Sequence, residues 1–232
     1  TDGFDHYTTN AEMIKKWDSA TGNPTAATGR YGSGAWAPPN TTGATKNFPA
    51  NATIMVQFAL KVVFGTAQEI EIMRLLAPGE NTSTVLLEND GSIRYYRGDG
   101  GGTRLDAGEV GGGTVTGGTF HYFEMKQFIS ATVGTILIKL NGTTILNLPG
   151  LNNKGGSSLP SIFKISGSGT WTNIFDDLVL MTAADAAPFN DLFGDHSIAT
   201  LFPNGAGATT DLTPLSGTNW SNVDDATPDD DT

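Results

Sequence analysis

The sequence predicts an all-β fold, a two-sheet antiparallel β-sandwich with a short N-terminal helix and an extended C-terminal tail. Three observations carry that expectation. Thirty glycines and 16% charged residues in 232 positions suit many short strands joined by tight turns better than helices packed on a parallel sheet. Several segments alternate apolar with polar residues, the signature of a half-buried strand. Asn141-Gly142 joins two of them, TILIKL and TTILNL, through the two-residue loop that favours a type I′ turn. A regular register after that turn sets Leu140 opposite Thr143, Ile138 opposite Ile145 and Ile136 opposite Asn147. Ile136, Ile138, Leu140 and Ile145 then share one apolar face. Burying each is worth about 1.5 to 3 kcal/mol, which a lone hairpin does not realise, so a second sheet must lie against it.

In chain order, residues 9–18, TNAEMIKKWD, read as a short helix opened by a capping box between Thr9 and Glu12, with Met13, Ile14 and Trp17 pinning it to the sandwich. From Ser19 to Asn51 the chain is rich in Gly, Pro, Thr and Asn. One edge strand is expected around Arg30 to Ala37, stopped by Pro38-Pro39. Thr53 to Phe64 alternates with Ile54, Val56, Phe58, Leu60 and Val62 on one side, and Glu69 to Leu76 follows with Ile70 and Ile72 inward. Thr84 to Glu88 and Ser92 to Arg97 form a hairpin over Asn89-Asp90-Gly91, where Gly91 supplies the left-handed position. Residues 98–118 are dense in glycine, costly to order, and hold one short strand at most within TRLDAGEV. FHYFEMKQFI, the Asn-Gly hairpin, SIFKISG and NIFDDLVLM bring the total to about ten to twelve strands.

After Thr182 the texture changes to turn chemistry with isolated apolar anchors and one strand-like piece, Ser197 to Phe202. This stretch lacks the apolar positions for a core of its own. The expected organisation is a sandwich over 1–183, including an N-terminal clasp over 1–20, and an extended tail over 184–232.

The formal net charge is −11, with no basic cluster, so nucleic acid is not an expected partner. The longest apolar run, Ile54 to Phe64, is short for a membrane span and is interrupted by Gln57 and Lys61, so membrane insertion is not expected. No cysteine is present, which leaves stability to packing. Thr1 to Asn10 carries no signal-peptide pattern, and a first residue Thr1 fits either a removed initiator methionine or a fragment.

The order of strands, the NG hairpin and the closing F-D-D-L-V-L strand resemble the concanavalin A-like (LamG-like) jelly roll. The ends, DGFDHYTT…KKWD and GDHSIATLFPNGAG…LTPLSGTNWSNVDD…PDDDT, resemble those of a group of tailed-bacteriophage virion proteins that wrap this sandwich. His196 and Ser197 stand where that group usually has an aliphatic and a basic residue after the Gly-Asp pair. The resemblance implies a non-enzymatic structural or accessory component of the virion, in capsid or tail, present as repeated copies or a homo-oligomer. Such a chain is assembled in the host cytoplasm and carried on the extracellular particle. Its tail, with Phe193, Leu201, Phe202 and Trp220, would dock on neighbouring virion proteins.

Retaining glycoside hydrolysis needs paired carboxylates about 5 to 5.5 Å apart, which E-x-D-x-x-E on one strand can supply. Glu69 and Glu71 match the first spacing but no third carboxylate follows, so the two are expected on a solvent face and no enzyme is expected. The alternative function is a carbohydrate-binding adhesin meeting a host surface glycan through Tyr95, Tyr96 or Trp171 and the loops at 98–118 and 152–158. No cofactor is expected beyond a calcium ion, for which Asp90, Asp176 and Asp177 are the candidate oxygen donors. Adjacent aspartates on a regular strand point to opposite faces, so at most one of Asp176 and Asp177 joins a given site. Asp225, Asp229, Asp230 and Asp231 belong to an acidic terminus read as solvated.

Overall fold

The structure, a computed structural model, describes residues 1–4, 7–21, 29–31, 34–38, 43–106, 114–167, 169–187 and 189–198. Among them are one helix, α1 (Asn10–Lys16), and twelve strands: β1 (Ser19–Ala20), β2 (Gly43–Asn47), β3 (Thr53–Val63), β4 (Glu69–Ala77), β5 (Glu80–Glu88), β6 (Ile93–Arg97), β7 (Thr103–Arg104), β8 (Phe120–Phe128), β9 (Gly134–Leu140), β10 (Thr143–Leu151), β11 (Ile162–Ser166) and β12 (Thr172–Thr182). They form a seven-stranded sheet in the order β1-β2-β11-β4-β5-β6-β7 and a five-stranded sheet in the order β10-β9-β8-β3-β12. Every pairing is antiparallel. This is the two-sheet jelly-roll sandwich the sequence predicts.

The core lies between the sheets, because the alternation in each strand sends one apolar row inward. Ile54, Val56, Phe58, Leu60 and Val62 of β3 meet Phe123 and Met125 of β8, Ile136 and Ile138 of β9, and Val85, Leu87 and Tyr95 from the other sheet, all buried in one cluster. Phe58 stacks on Phe123 at 4.8 Å between ring centroids and meets Phe175 edge-on at 5.5 Å.

The hairpin turn forms as expected, with Asn141 at φ 51° and Gly142 at φ 78°. The register beyond it departs from regularity. Thr143 faces Leu140, but Leu146, not Ile145, faces Ile138, and Leu148 faces Ile136. A bulge at Ile145 absorbs one residue, which turns Leu146 and Leu148 to the core side and sends Asn147 outward. Regular pairing would have aimed the Asn147 amide at the core, at the cost of an unsatisfied polar group.

The helix carries its capping box, with Thr9 Oγ1 accepting from the Glu12 amide and the Glu12 carboxylate accepting from the Thr9 amide. Met13 and Trp17 are buried, whereas Ile14 is half exposed and takes no part in the pinning expected of it. The edge strand expected at Arg30 to Ala37 is not a strand in its described residues; Trp36 makes only an isolated bridge to Phe175. The seven-stranded sheet is edged instead by β2 and β1, whose short sequences, GATKN and SA, gave no alternation to read. Ser197 and Ile198 are not in a strand, and 199–202 lie outside the described residues. Residues Thr1–Ile198 form one compact unit, so the boundary expected at 183 falls inside it.

Candidate functional site

Among the described residues, the outer face of the seven-stranded sheet carries a group of charged and polar side chains around one recess. Its organisation begins in β4, EIEIMRLLA. Strict alternation from Glu69 would put Met73 outward and Arg74 inward. A bulge between Glu71 and Met73 lets Ile72 and Met73 both face the core and returns Arg74 to the outer face. Arg74 therefore occupies the third position of the E-x-D-x-x-E spacing, where a hydrolase of this pattern would hold a carboxylate. The only signal for this in the sequence is the apolar pair Ile72-Met73 ahead of a charge.

Register then builds a transverse row. Lys164 of β11 faces Arg74, Arg74 faces Thr84, Thr84 faces Tyr96, and Tyr96 faces Arg104. On the other side Lys164 faces Thr45. Five strand spacings make this row about 24 Å long.

Glu71 is the hub at one end. It pairs with Arg74, lies 3.5 Å from Lys164 Nζ, and accepts the Ser166 hydroxyl at 2.6 Å. Arg74 also donates to Asn81 Oδ1 at 3.1 Å. Glu69, two residues earlier on the same face, is exposed, and its carboxylate has no hydrogen bond or ion pair among the described residues. Glu69, Glu71, Lys164, Ser166 and the Gly167 and Thr170 turn enclose an open recess of about 390 Å³. The turn is held from below by Trp171, whose ring packs edge-on against Phe64 at 4.9 Å. Gly65 lets this turn approach, since a Cβ there would stand 1.6 Å from the Thr170 carbonyl oxygen.

At the other end Asp106 is buried and shared by two guanidiniums, Arg104 at 3.2 Å and Arg94 at 3.7 Å. Its Oδ1 also accepts the Tyr95 amide at 3.2 Å. The hydrogen bond from Arg94 to Glu88 raises the guanidinium above its usual value. Burial, and then the Glu69 charge, push the Tyr96 phenol up, so it stays a hydrogen-bond donor near neutrality. Between the two ends the β6–β7 turn folds over the sheet: Gly98 accepts the Thr84 hydroxyl at 2.7 Å, and Gly100 lies against Leu86.

The five-stranded sheet presents a different outer face, closed by residues 189–198. Arg30 pairs with Asp195, Lys126 with Asp191 at 2.9 Å, and Tyr122 meets the His196 ring through a hydrogen bond. Leu192 and Ile198 pack on Met55, Val179 and Met181. Glu124 lies buried beneath, and burial raises its carboxyl above the usual range.

The residues singled out in the sequence are scattered. Tyr95 lies wholly in the core with its hydroxyl on Gln127 at 2.8 Å, and Trp171 is buried, which takes both rings away from any glycan. Tyr96 alone of the three stands on the outer face, half buried. The two loops expected to form the contact do meet, since Gly155 packs on the Gly98 amide and Arg97 donates to the Asn152 carbonyl at 3.2 Å. They lie beside Asn81 and Thr82 at the start of β5, and 107–113 are outside the described residues. Phe193 is partly exposed and packs edge-on against Phe189 at 5.8 Å. Leu201, Phe202 and Trp220 are outside the described residues, as are Asp225, Asp229, Asp230 and Asp231.

Asp90 caps its own turn by accepting the Ser92 amide at 2.8 Å, and its hydrogen bonds from Ser92 hold the carboxyl below its usual range. Asp176 and Asp177 do not diverge as adjacent strand residues should. Asp177 sits at φ 52° in a bulge, and both carboxylates turn to the same covering segments: Asp176 accepts the Arg30 amide at 2.7 Å and Asp177 the Ile198 amide at 2.6 Å. Among the described residues no three acids or histidines gather as a metal site.

No protein-family model matches the chain, and no curated protein matches it in sequence. Solved structures do share its fold. An endo-β-1,4-glucuronan lyase from the fungus Trichoderma reesei superposes with a TM-score of 0.55 at 12% identity, covering 74% of this chain and 94% of that one. Cellulose induced protein Cip1 gives 0.52 at 15% identity, over 72% and 91%. The alginate lyase Aly36B gives 0.50 at 14% identity, over 77% and 94%. The sandwich is therefore one that carbohydrate-active proteins use. These structures correct the expectation of a chain without enzymatic activity: two of them are polysaccharide lyases by name, so the missing third carboxylate speaks only against the paired-carboxylate hydrolase and leaves other sugar chemistry open on this fold.

Proposed function

We propose that the protein engages a polysaccharide across the outer face of its seven-stranded sheet, with the recess at Glu69 as the anchoring subsite. The observation that carries this reading is the recess itself, about 390 Å³ and lined by a free carboxylate, an ammonium and a hydrogen-bonded hydroxyl. Sugar hydroxyls both donate and accept, and Glu69 and Lys164 offer one partner of each kind. Tyr96 and Arg104 extend the row beyond the β6–β7 turn. The lyase sandwiches support the reading at the level of fold.

Affinity electrophoresis of the full chain in gels containing acidic and neutral polysaccharides tests it. The double variant Glu69→Gln, Lys164→Ala should weaken retardation about tenfold, and Tyr96→Ala should weaken it as well. Retardation unchanged in the double variant overturns the assignment of the recess. Release of new chain ends, followed in the same mixtures, separates binding from cleavage.

A second reading concerns where this face is displayed. The end motifs DGFDHYTT…KKWD and GDHSIATLFPNGAG favour a component of a tailed-phage virion, in capsid or tail, docked on neighbouring virion proteins in repeated copies. Host-surface glycan would then be the polymer. Deleting 199–232 should leave a folded sandwich that no longer joins particles; normal occupancy of the truncated chain would remove this reading.

A further inference from the structure

The N-terminal clasp closes the open side of the sandwich between β12 and β2, and it closes only part of it. Asp2 bridges Leu178 on the free edge of β12, with amide-to-carbonyl bonds of 2.7 Å in both directions. Phe4 packs on both Trp17 and Trp36 at 6.0 and 5.9 Å, the two indoles lie 6.4 Å from each other, Trp17 reaches Phe163 at 6.5 Å, and Trp36 reaches Phe175 at 6.3 Å. These rings fill the opening as far as Trp17. Beyond them a cavity of about 330 Å³ remains, walled by Trp17, Phe48, Phe163, Leu178, Leu180 and Met181. This volume falls in the range, roughly 300 to 1,000 Å³, of small-molecule sites.

Charges of both signs stand at the rim, where Asp2 and Asp185 accompany two lysines. Lys16 and Lys46 both line the cavity, with 45% and 42% of their side chains exposed. Lys16 donates to the Thr1 carbonyl and stands 3.7 Å from Asp2; Lys46 donates to the Lys16 carbonyl at 2.5 Å and stands 3.7 Å from Asp18. An ammonium has three N–H donors, so each keeps donors for a further anion. The nearby carboxylates are already engaged: Asp2 accepts from Trp17, Tyr7 and Phe4, and Asp185 from the Thr182 amide. An apolar chamber with two ammonium groups at its mouth matches a molecule with a greasy body and a negative head.

We propose that this cavity binds a small anionic amphiphile, a monocarboxylate carrying a short alkyl or aryl tail, held by burial of the tail against Trp17, Phe163 and Leu180 and by ion pairing of the head with Lys16 and Lys46. The site is separate from the saccharide recess. It needs no rearrangement of either sheet.

Isothermal titration of the full chain with octanoate and with 1-octanol tests the proposal. Octanoate should bind, and octanol should bind about tenfold more weakly for want of the charged head. Lys46→Gln should cost octanoate about the same factor and leave octanol unchanged. Leu180→Trp and Ala184→Phe fill the chamber from two sides, and each should abolish both heats while circular dichroism confirms the fold. Absence of octanoate binding, equal affinity for the two ligands, or full binding in whichever filled variant folds would overturn the site.

Discussion

Trp17 donates its indole N–H to the Asp2 carboxylate at 2.7 Å, joining two residues fifteen positions apart across the N-terminal clasp. The same carboxylate accepts the Tyr7 hydroxyl at 2.9 Å and the Phe4 amide at 3.1 Å, and Asp2 is almost wholly buried. One acid thus ties α1 to the edge of β12.

Asp2→Ala should lower the stability of the folded chain by about 3 kcal/mol, because it strands the buried Trp17 N–H and loosens the aromatic stack beneath it. Urea unfolding measures the loss. A change within about 0.5 kcal/mol would show that the clasp is not cooperative with the sandwich.

Phe58→Ala should cost about 3 to 5 kcal/mol, removing a ring that packs on both Phe123 and Phe175. Ile14→Ala, at a position half exposed on α1, should stay within about 0.5 kcal/mol. The pair, compared by denaturant midpoint, separates a core position from one that only its sequence spacing assigns to the core.

Glu124 gives a pH signature. Its carboxyl is raised by burial, so the folded chain holds this proton more tightly than the unfolded chain does. Its contribution to stability is full below the ordinary glutamate value, about 4.3, and is lost as pH rises through the elevated folded value. Glu124→Gln should therefore be the more stable protein at about pH 8, with the difference shrinking toward about pH 4. Unfolding midpoints of both proteins across that window report the sign directly.

Two glycines separate two causes. Gly142→Ala meets open space but must hold φ 78°, which costs about 1 kcal/mol. Gly65→Ala places a Cβ against the Thr170 carbonyl, so the turn beside the recess must move. It should lose more stability than Gly142→Ala and should also weaken polysaccharide retardation, which Gly142→Ala should leave unchanged.

Much of the sandwich was legible because alternation and turn chemistry are local. Residues 54, 56, 58, 60 and 62 could be sent to one face from their spacing alone, and Asn141-Gly142 named its own turn. The capping box of α1 was equally plain. The edge strands β1 and β2 were not: two and five residues long, they are strands only because β11 pairs with β2 and β2 in turn with β1.

The candidate site was less legible for the same reason. Tyr95 and Tyr96 look alike as adjacent tyrosines, yet one row of β6 faces Gln127 in the core and the other faces Arg104 outside. Arg74 reaches Glu71 only through a bulge, and Lys164 arrives from a strand ninety residues later in the sequence.

The amino-acid sequence by itself determined the class of fold, the inward row of each well-patterned strand and the turns between neighbours, since all of these follow from backbone and side-chain preferences over a few residues. Only the tertiary structure decided the bulges at Ile72 and Ile145, the strand edge to which the clasp bonds, and which polar side chains share a surface. Those outcomes depend on strands distant in the chain competing to satisfy the same hydrogen bonds and fill the same core, a balance no short window contains.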